Sequence, residues 1–356
     1  MHNKSNKILD FSGHNIFVGL DVHKTSWAVN IRVDNIEHRT FTQPPDPIAL
    51  HKYLIKNFPG ANYFSAYECG FSGYNHHRKL NELGINNIVI NPADLPVTDK
   101  EKINKRDPVD SRRLSRALQN NQLKAIHVFD PNHEQFRALN RMRWKAAKEH
   151  RRVKNRIRSF LLYFGINPPA ELNPEYWTIA FVNWLRQLKF TDQTGALALE
   201  YLLNSYQSTK DHVLEVSRHL RKQVKIHYPD IYNRLLTVPG IGPINAMCII
   251  AEIGDMKRFK SCKHLASFVG LVPRSHQSGT KDPNCSLTYR SNKYLRSALV
   301  ESAWMALRYD PALLQYYKEK IAGHKSQIVI TKIAHKLLNR IRNVWLNDNS
   351  YQLGIM

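Results

Sequence analysis

The chain has 356 residues, enough for two or three domains, and its 52 lysine and arginine residues against 29 acidic residues give a formal net charge of +23. This excess predicts a protein that binds polyanions. No apolar run reaches the length of about 18 residues that a membrane-spanning helix needs, and the start lacks an apolar signal core, so we expect a cytoplasmic protein. The four cysteines, Cys69, Cys248, Cys262 and Cys285, form no close pair and are interpreted as reduced thiols without zinc or disulfides.

Residues 1–130 predict an α/β domain. Alternation of β-branched and aromatic residues over 16–42 predicts three antiparallel strands. The helix PDPIALHKYLIKNF, the strand NYFSAYE, the helix GYNHHRKLNELG, the strand NNIVINP and the helix PVDSRRLSRALQNN follow. The order β-β-β-α-β-α-β-α is typical of a ribonuclease-H-like (RuvC-like) domain.

Four carboxylates stand at element ends in this domain. Asp21 ends the run IFVGLD, Glu68 ends YFSAYE, and Asp107 and Asp110 lie where a helix begins in KRDPVDSRRLSRAL. Acidic groups that converge in a basic chain repel one another unless a cation lies between them, so the pattern predicts a site for two Mg²⁺ ions. Taken singly, each acid also fits a turn, a surface charge or a helix cap.

Residues 131–230 predict a helical coiled-coil hairpin. A helical pattern over 132–164 and another over 195–228 flank a Pro-rich connection at 165–193. The first helix is basic almost throughout, which favours nucleic-acid contact over a merely solvated face. The residues expected to make that contact are Arg137, Arg141, Arg143, Arg151, Arg152, Lys154 and Arg158.

Residues 231–356 predict a helical domain that opens with a helix-hairpin-helix. Its turn is PGIGP, in which Gly240 and Gly242 would let backbone amides approach phosphates, although the same letters fit a tight interhelical turn. A final helix is expected over 326–346.

A polar segment, RSHQSGTKD, lies between two of these helices. A serine in it could act as a nucleophile beside Arg274 and Lys281. By composition Ser275 and Ser278, and Ser286 just after the segment, are all candidates.

Five ordered motifs resemble the DEDD transposases of the insertion sequence 110 group and the related Piv DNA invertases. They are FVGLDVHKTSWAV, YECGFSGY, KINKRDPVDSRRLSRAL, the run from LLTVPGIGP to RSHQSGTKD, and YRSNKYLRSALVESAW. The resemblance assigns the tetrad to Asp21, Glu68, Asp107 and Asp110, and the serine to Ser278. The sequence departs from the family pattern at Gln277 and Thr280, where the family has serine and glycine, and at Ser291, where it tends to have glycine.

The resemblance implies a Mg²⁺-dependent prokaryotic recombinase that acts at the nucleoid on double-stranded donor and target DNA. It further implies a non-coding bridge RNA and a homo-oligomer, dimer to tetramer, in which the tetrad of one subunit works with the serine of another. We therefore interpret the chain as an RNA-guided transposase with a serine nucleophile. The alternatives are a site-specific invertase without guide RNA, a RuvC-like junction nuclease that uses water, and an architectural DNA-binding protein.

Overall fold

The computed structural model describes residues 9–95, 107–273 and 287–353, with only the backbone of residues 107 and 108. The chain divides into two compact units, Met1–Val128 and Phe129–Met356. The predicted division into three domains at residues 130 and 230 stays a prediction. Within the described ranges, no helix has the length and apolar character to cross a membrane.

The first unit is a five-stranded mixed sheet with helices on both faces. Its elements are β1 (Asn15–Val22), β2 (Trp27–Val33), β3 (Ile36–Gln43), α1 (Pro47–Asn57), β4 (Asn62–Glu68), α2 (Asn75–Glu82), β5 (Asn86–Ile90), a short 3₁₀ turn (Pro92–Asp94) and α3 (Asp107–Gln119). The strand order is β3-β2-β1-β4-β5. Strands β1, β2 and β3 are antiparallel neighbours, whereas β1, β4 and β5 run parallel. The predicted element order is present, and the mixed sheet is consistent with a DEDD nuclease-like fold.

Alternation along β1 separates the two faces of this sheet. Ile16, Val18 and Leu20 pack into the apolar core that contains buried residues of α1 and α2. Gly19 points to the opposite face, where a Cβ atom would lie 1.9 Å from the Ser111 carbonyl oxygen and 2.5 Å from the Ser115 amide nitrogen. Helix α3 therefore lies directly against the backbone of β1, which only glycine permits.

The second unit is helical in its described residues. Its elements are α4 (Pro131–Tyr163), α5 (Ile179–Arg186), α6 (Gln193–His227), α7 (Pro229–Leu236), α8 (Pro243–Ile253), a 3₁₀ turn (Met256–Arg258), α9 (Cys262–Val269), α10 (Lys293–Tyr309), α11 (Pro311–Ile321) and α12 (Ser326–Leu346). The predicted long helices over 132–164 and 195–228 and the final helix over 326–346 are therefore present.

The two long helices α4 and α6 pack antiparallel. His150 lies 3.0 Å from the hydroxyl of Thr209, and the Arg143 Nε donates to Ser217 at 3.2 Å, so the residue numbers rise on one helix as they fall on the other. The Pro-rich connection between them contains the helix α5, which was not among the predicted helices. Thr178 caps α5 by accepting from the Phe181 amide, and the buried side chain of Phe181 anchors the helix in the hairpin.

A buried carboxylate joins three helices of the second unit. Glu252 on α8 is 0% exposed and accepts from the Arg137 Nε at 3.0 Å and the Arg141 Nε at 2.7 Å. The Asn292 side chain donates to Glu252 at 2.8 Å and caps α10 by accepting from the Tyr294 amide. Burial by itself raises the pKa of Glu252, but the hydrogen bond from Arg141 and the two guanidinium charges outweigh burial and lower the pKa overall.

We expect the Glu252→Gln substitution to destabilise the second unit. Glutamine keeps the shape but leaves two guanidinium groups without their counter-charge, so the free energy of unfolding should fall by about 3 kcal/mol near neutral pH. A lowered folded-state pKa means that the contribution of Glu252 is present above the unfolded pKa and disappears as the pH falls through the folded pKa. The difference between wild type and variant in urea unfolding should therefore shrink on acidification.

The matched control is Glu200→Gln, which removes an exposed carboxylate from α6. It should change stability by less than about 0.5 kcal/mol. A pH-independent difference for the Glu252 variant, or one no larger than that of the control, would contradict the role of the buried carboxylate.

Candidate active site

Two of the predicted carboxylates end neighbouring parallel strands. Leu20 of β1 pairs in register with Tyr67 of β4, and the next residue in each strand is Asp21 or Glu68. Gly19 and Ala66 also pair, so by alternation both acids project from the face that α3 covers. The strand register therefore sets the two carboxylates side by side at the carboxyl ends of β1 and β4.

The third carboxylate comes from the start of α3. Asp110 directly precedes Ser111, whose carbonyl oxygen lies over Gly19 of β1. The guanidinium of Arg113, one turn further along α3, lies 3.0 Å from Asp110 Oδ1 and 3.7 Å from Glu68 Oε1. The structure thus brings Asp21, Glu68 and Asp110 to one end of one sheet face.

Asp107 begins α3, but its side chain lies outside the described residues. Among the side chains that are described, no group of three His, Cys, Asp or Glu residues has the arrangement of a metal site. The donor set still fits Mg²⁺, which prefers carboxylate oxygens, and a cationic guanidinium already lies between two members of the set. His23 lies with its Nε2 atom 3.2 Å from Asp21 Oδ2.

The candidate serine, Ser278, falls in the range 274–286, which lies outside the described residues. The other candidate serines, Ser275 and Ser286, and the flanking cations, Arg274 and Lys281, fall in the same range. Its two flanks are described and are held together. Pro273 and Leu287 form an antiparallel bridge, and the Thr288 amide donates to the Val272 carbonyl at 3.2 Å. The two described residues that border the range 274–286 therefore lie side by side.

The basic helix α4 uses its first three predicted contact residues internally. Arg137 and Arg141 bind the buried Glu252, and Arg143 donates to Ser217 of α6. Burial lowers the pKa of Arg143. These three guanidinium groups join helices of the second unit. The structure therefore gives no support for the prediction that they bind nucleic acid.

The other predicted contacts lie in the distal half of α4. Arg151 and Arg152 are exposed, whereas Lys154 lies 5.3 Å from the centre of the Trp177 ring and Arg158 donates to the Pro174 carbonyl at 2.7 Å. Three further exposed cations on the same helix were not singled out from the sequence, namely Lys145, Lys148 and Arg156. These cations differ from the inward-facing arginines in the solvent exposure of their side chains, which the sequence pattern alone does not reveal.

The turn PGIGP connects α7 and α8 as expected. Gly240 has φ +84°, and a Cβ atom there would lie 2.3 Å from the Ser302 carbonyl oxygen of α10, so this glycine is explained by packing. Gly242 precedes the first turn of α8 and has open space around it. Of the two glycines, Gly242 is the one whose surroundings leave room for a phosphate.

Comparison with known proteins identifies relatives for both units. The DEDD transposase model of the IS110 group matches residues 18–165, and the model described as "Transposase IS116/IS110/IS902 family" matches residues 232–318. The transposase for insertion sequence element IS1328 of Yersinia enterocolitica is 27% identical over 266 residues, which cover 73% of this chain and 77% of that protein. The transposase for insertion sequence element IS1111A of Coxiella burnetii is 25% identical over 79% of this chain and 74% of that protein.

A third relative is the pilin gene-inverting protein of Moraxella bovis, which is 41% identical over 118 residues, or 31% of this chain and 36% of that protein. The DEDD match spans the carboxylates of the first unit, and the second match spans the turn PGIGP and the candidate serine. The resemblance stated from the five motifs is confirmed. The chain belongs to the IS110/IS116/IS902 family of DEDD transposases, which are enzymes of DNA recombination.

Proposed function

We propose that the chain is an RNA-guided DNA transposase that cleaves and rejoins strands with a Mg²⁺-binding tetrad and a serine nucleophile. The observation that carries the proposal is the convergence of Asp21, Glu68 and Asp110 on one sheet face in a chain of net charge +23. An acidic pocket in so basic a protein suits a site where a phosphodiester is held by positive surface and attacked beside bound cations.

The tetrad of the proposed site is Asp21, Glu68, Asp107 and Asp110, and it would hold two ions. Bound Mg²⁺ would supply a Lewis acid that polarises the scissile phosphate and stabilises the charge that develops on it. Strands β1 and β4 hold Asp21 and Glu68 in fixed positions, because both are interior strands with a partner on each side.

The proposed nucleophile is Ser278. Its oxygen would lose its proton and form a bond to phosphorus as the bond from phosphorus to the 3′ oxygen breaks. The leaving 3′ oxygen takes up a proton, so the products are a 5′-phosphoserine ester and a 3′-hydroxyl. The ester conserves the phosphodiester linkage, so a second strand's 3′-hydroxyl can reverse the step and rejoin the DNA without an external energy source. The bridge between Pro273 and Leu287 supports the proposal in one respect: the two residues that border this segment of the sequence are paired.

The proposed partners are double-stranded donor and target DNA and a bridge RNA, bound by a homo-oligomer of two to four chains in the prokaryotic cytoplasm. The exposed cations of α4 and the open turn at Gly242 support nucleic-acid contact. The long hairpin of α4 and α6 is proposed as a coiled coil, and the turn PGIGP as a helix-hairpin-helix.

Site-specific inversion without RNA is the second candidate function. It is favoured by the 41% identity over 118 residues to a pilin gene-inverting protein. Removing RNA with ribonuclease before the assay separates the two, because an invertase would keep its activity and an RNA-guided transposase would lose it.

The serine mechanism predicts a covalent protein–DNA adduct. With its RNA and an end-labelled DNA substrate, the wild type should give an adduct on denaturing gels, and Ser278→Ala should give none. Asp21→Asn should lower adduct formation by about 100-fold or more, the loss typical of removing one preorganised electrostatic contact. If active sites are shared between subunits, a mixture of these two variants should recover part of the activity.

The matched controls are Ser275→Ala and Ser286→Ala, which should form the adduct at the wild-type level. Peptide mapping of the adduct to either of those serines would refute the assignment of Ser278. Cleaved DNA with free ends and no adduct would instead support the junction-nuclease reading, in which water is the nucleophile.

The exposed face of α4 predicts a salt-dependent contribution to binding. Replacing Lys148, Arg151 and Arg152 by glutamine should reduce the slope of log affinity against log salt by about 0.7–0.9 for each lost phosphate contact. A control of equal charge change replaces Lys52, Lys56 and Lys79, which are exposed on α1 and α2, away from the face that carries the carboxylates. The control should keep the wild-type slope, and a wild-type slope for the α4 variant as well would mean that the α4 face makes no phosphate contacts.

A further inference from the structure

Arg113 is a cation in direct contact with two of the carboxylates assigned to metal binding. Its side chain is 14% exposed, and its terminal nitrogen lies 3.0 Å from Asp110 and 3.7 Å from Glu68. Its Nε is buried and has no hydrogen-bond partner in the described part of the chain. The guanidinium is therefore held between the two acids by charge, with part of its hydrogen-bonding capacity unused.

The preceding residue shows that this position is specific. Arg112 is 45% exposed and donates to Glu37 at 2.6 Å, away from the tetrad. Two consecutive arginines on one helix thus have different counter-ions. Of these two arginines, Arg113 is the one that contacts carboxylates assigned to metal binding.

We infer that Arg113 is the counter-cation of the metal-free site, and that it must give up Glu68 and Asp110 before both can ligate Mg²⁺. The inference rests on the proposed metal site. A carboxylate oxygen that faces a guanidinium cannot offer the same lone pair to a metal ion, and a divalent cation at that position would repel the guanidinium. Arg113 therefore offsets the repulsion between the acids in the metal-free protein and competes with the metal for them.

The first test measures metal binding by isothermal titration of Mn²⁺ into the metal-free full-length chain. Arg113→Gln should bind Mn²⁺ about tenfold more tightly than the wild type, because one competing positive charge is gone. Arg112→Gln makes the same change in charge one residue away and should leave the affinity unchanged. Without metal, Arg113→Gln should melt at a lower temperature than Arg112→Gln, since its carboxylates are left unbalanced.

A second measurement needs no variant and covers the case in which Arg113→Gln does not fold. Phenylglyoxal modifies accessible arginine side chains, and peptide mass spectrometry locates the modified residue. In the wild type, Mn²⁺ should increase the modification of Arg113 several-fold, and the modification of Arg112 should stay constant.

The outcomes separate this inference from the proposed function. Wild-type binding of Mn²⁺ that is abolished by Asp21→Asn, with an Arg113→Gln affinity equal to or weaker than that of the wild type, would overturn the role of Arg113 and leave the metal site standing. Mn²⁺-independent modification of Arg113 would overturn it in the same way. Absence of any Mn²⁺ binding that depends on Asp21 would refute the metal site itself.

Discussion

Mutual repulsion of carboxylates is the constraint on which the first unit depends. The register of β1 against β4 places Asp21 and Glu68 in adjacent positions, and the contact of α3 with Gly19 adds Asp110. Like charges at such spacing raise the free energy of the folded state unless a cation offsets them. The guanidinium of Arg113 supplies a positive charge beside two of the three acids.

In the second unit the signs are reversed, and an acid offsets the repulsion between neighbouring cations. There a single buried carboxylate, Glu252, neutralises the guanidinium groups of Arg137 and Arg141. Because Asn292 joins the same carboxylate and caps α10, this ion cluster also fixes the helix that follows the range carrying Ser278. In a chain with so large an excess of positive charge, the arginines that pair with a buried acid stabilise the fold, whereas the exposed cations stay accessible to a polyanion.

Much of this architecture was predictable from local sequence. Alternating strands, a glycine-ended helix at Gly84 and long uninterrupted helical patterns predicted most of the observed elements, because these signals act between neighbours in the chain. The local sequence also predicted that Asp21 and Glu68 lie at strand ends. Their shared face followed only from the parallel pairing of Leu20 with Tyr67, which no local pattern encodes.

The parts that sequence reasoning missed depend on distant partners. Arg137 and Arg141 read as nucleic-acid contacts because their counter-ion is 115 and 111 residues away along the chain. Helix α5, which lies within a Pro-rich stretch, was not predicted, because its stability comes from burying Phe181 in the hairpin rather than from its own length. Arg113 looked like one more basic residue until the strand register placed Glu68 beside it.

The measurement that tests the central claim most directly is anomalous diffraction from crystals of the chain grown with Mn²⁺. The account predicts an anomalous peak about 2–2.3 Å from carboxylate oxygens of Asp21, Glu68 and Asp110, with the Arg113 guanidinium withdrawn from Glu68. A site without anomalous density at saturating Mn²⁺, with Arg113 still between Glu68 and Asp110, would contradict the claim that these acids are gathered to hold a metal ion.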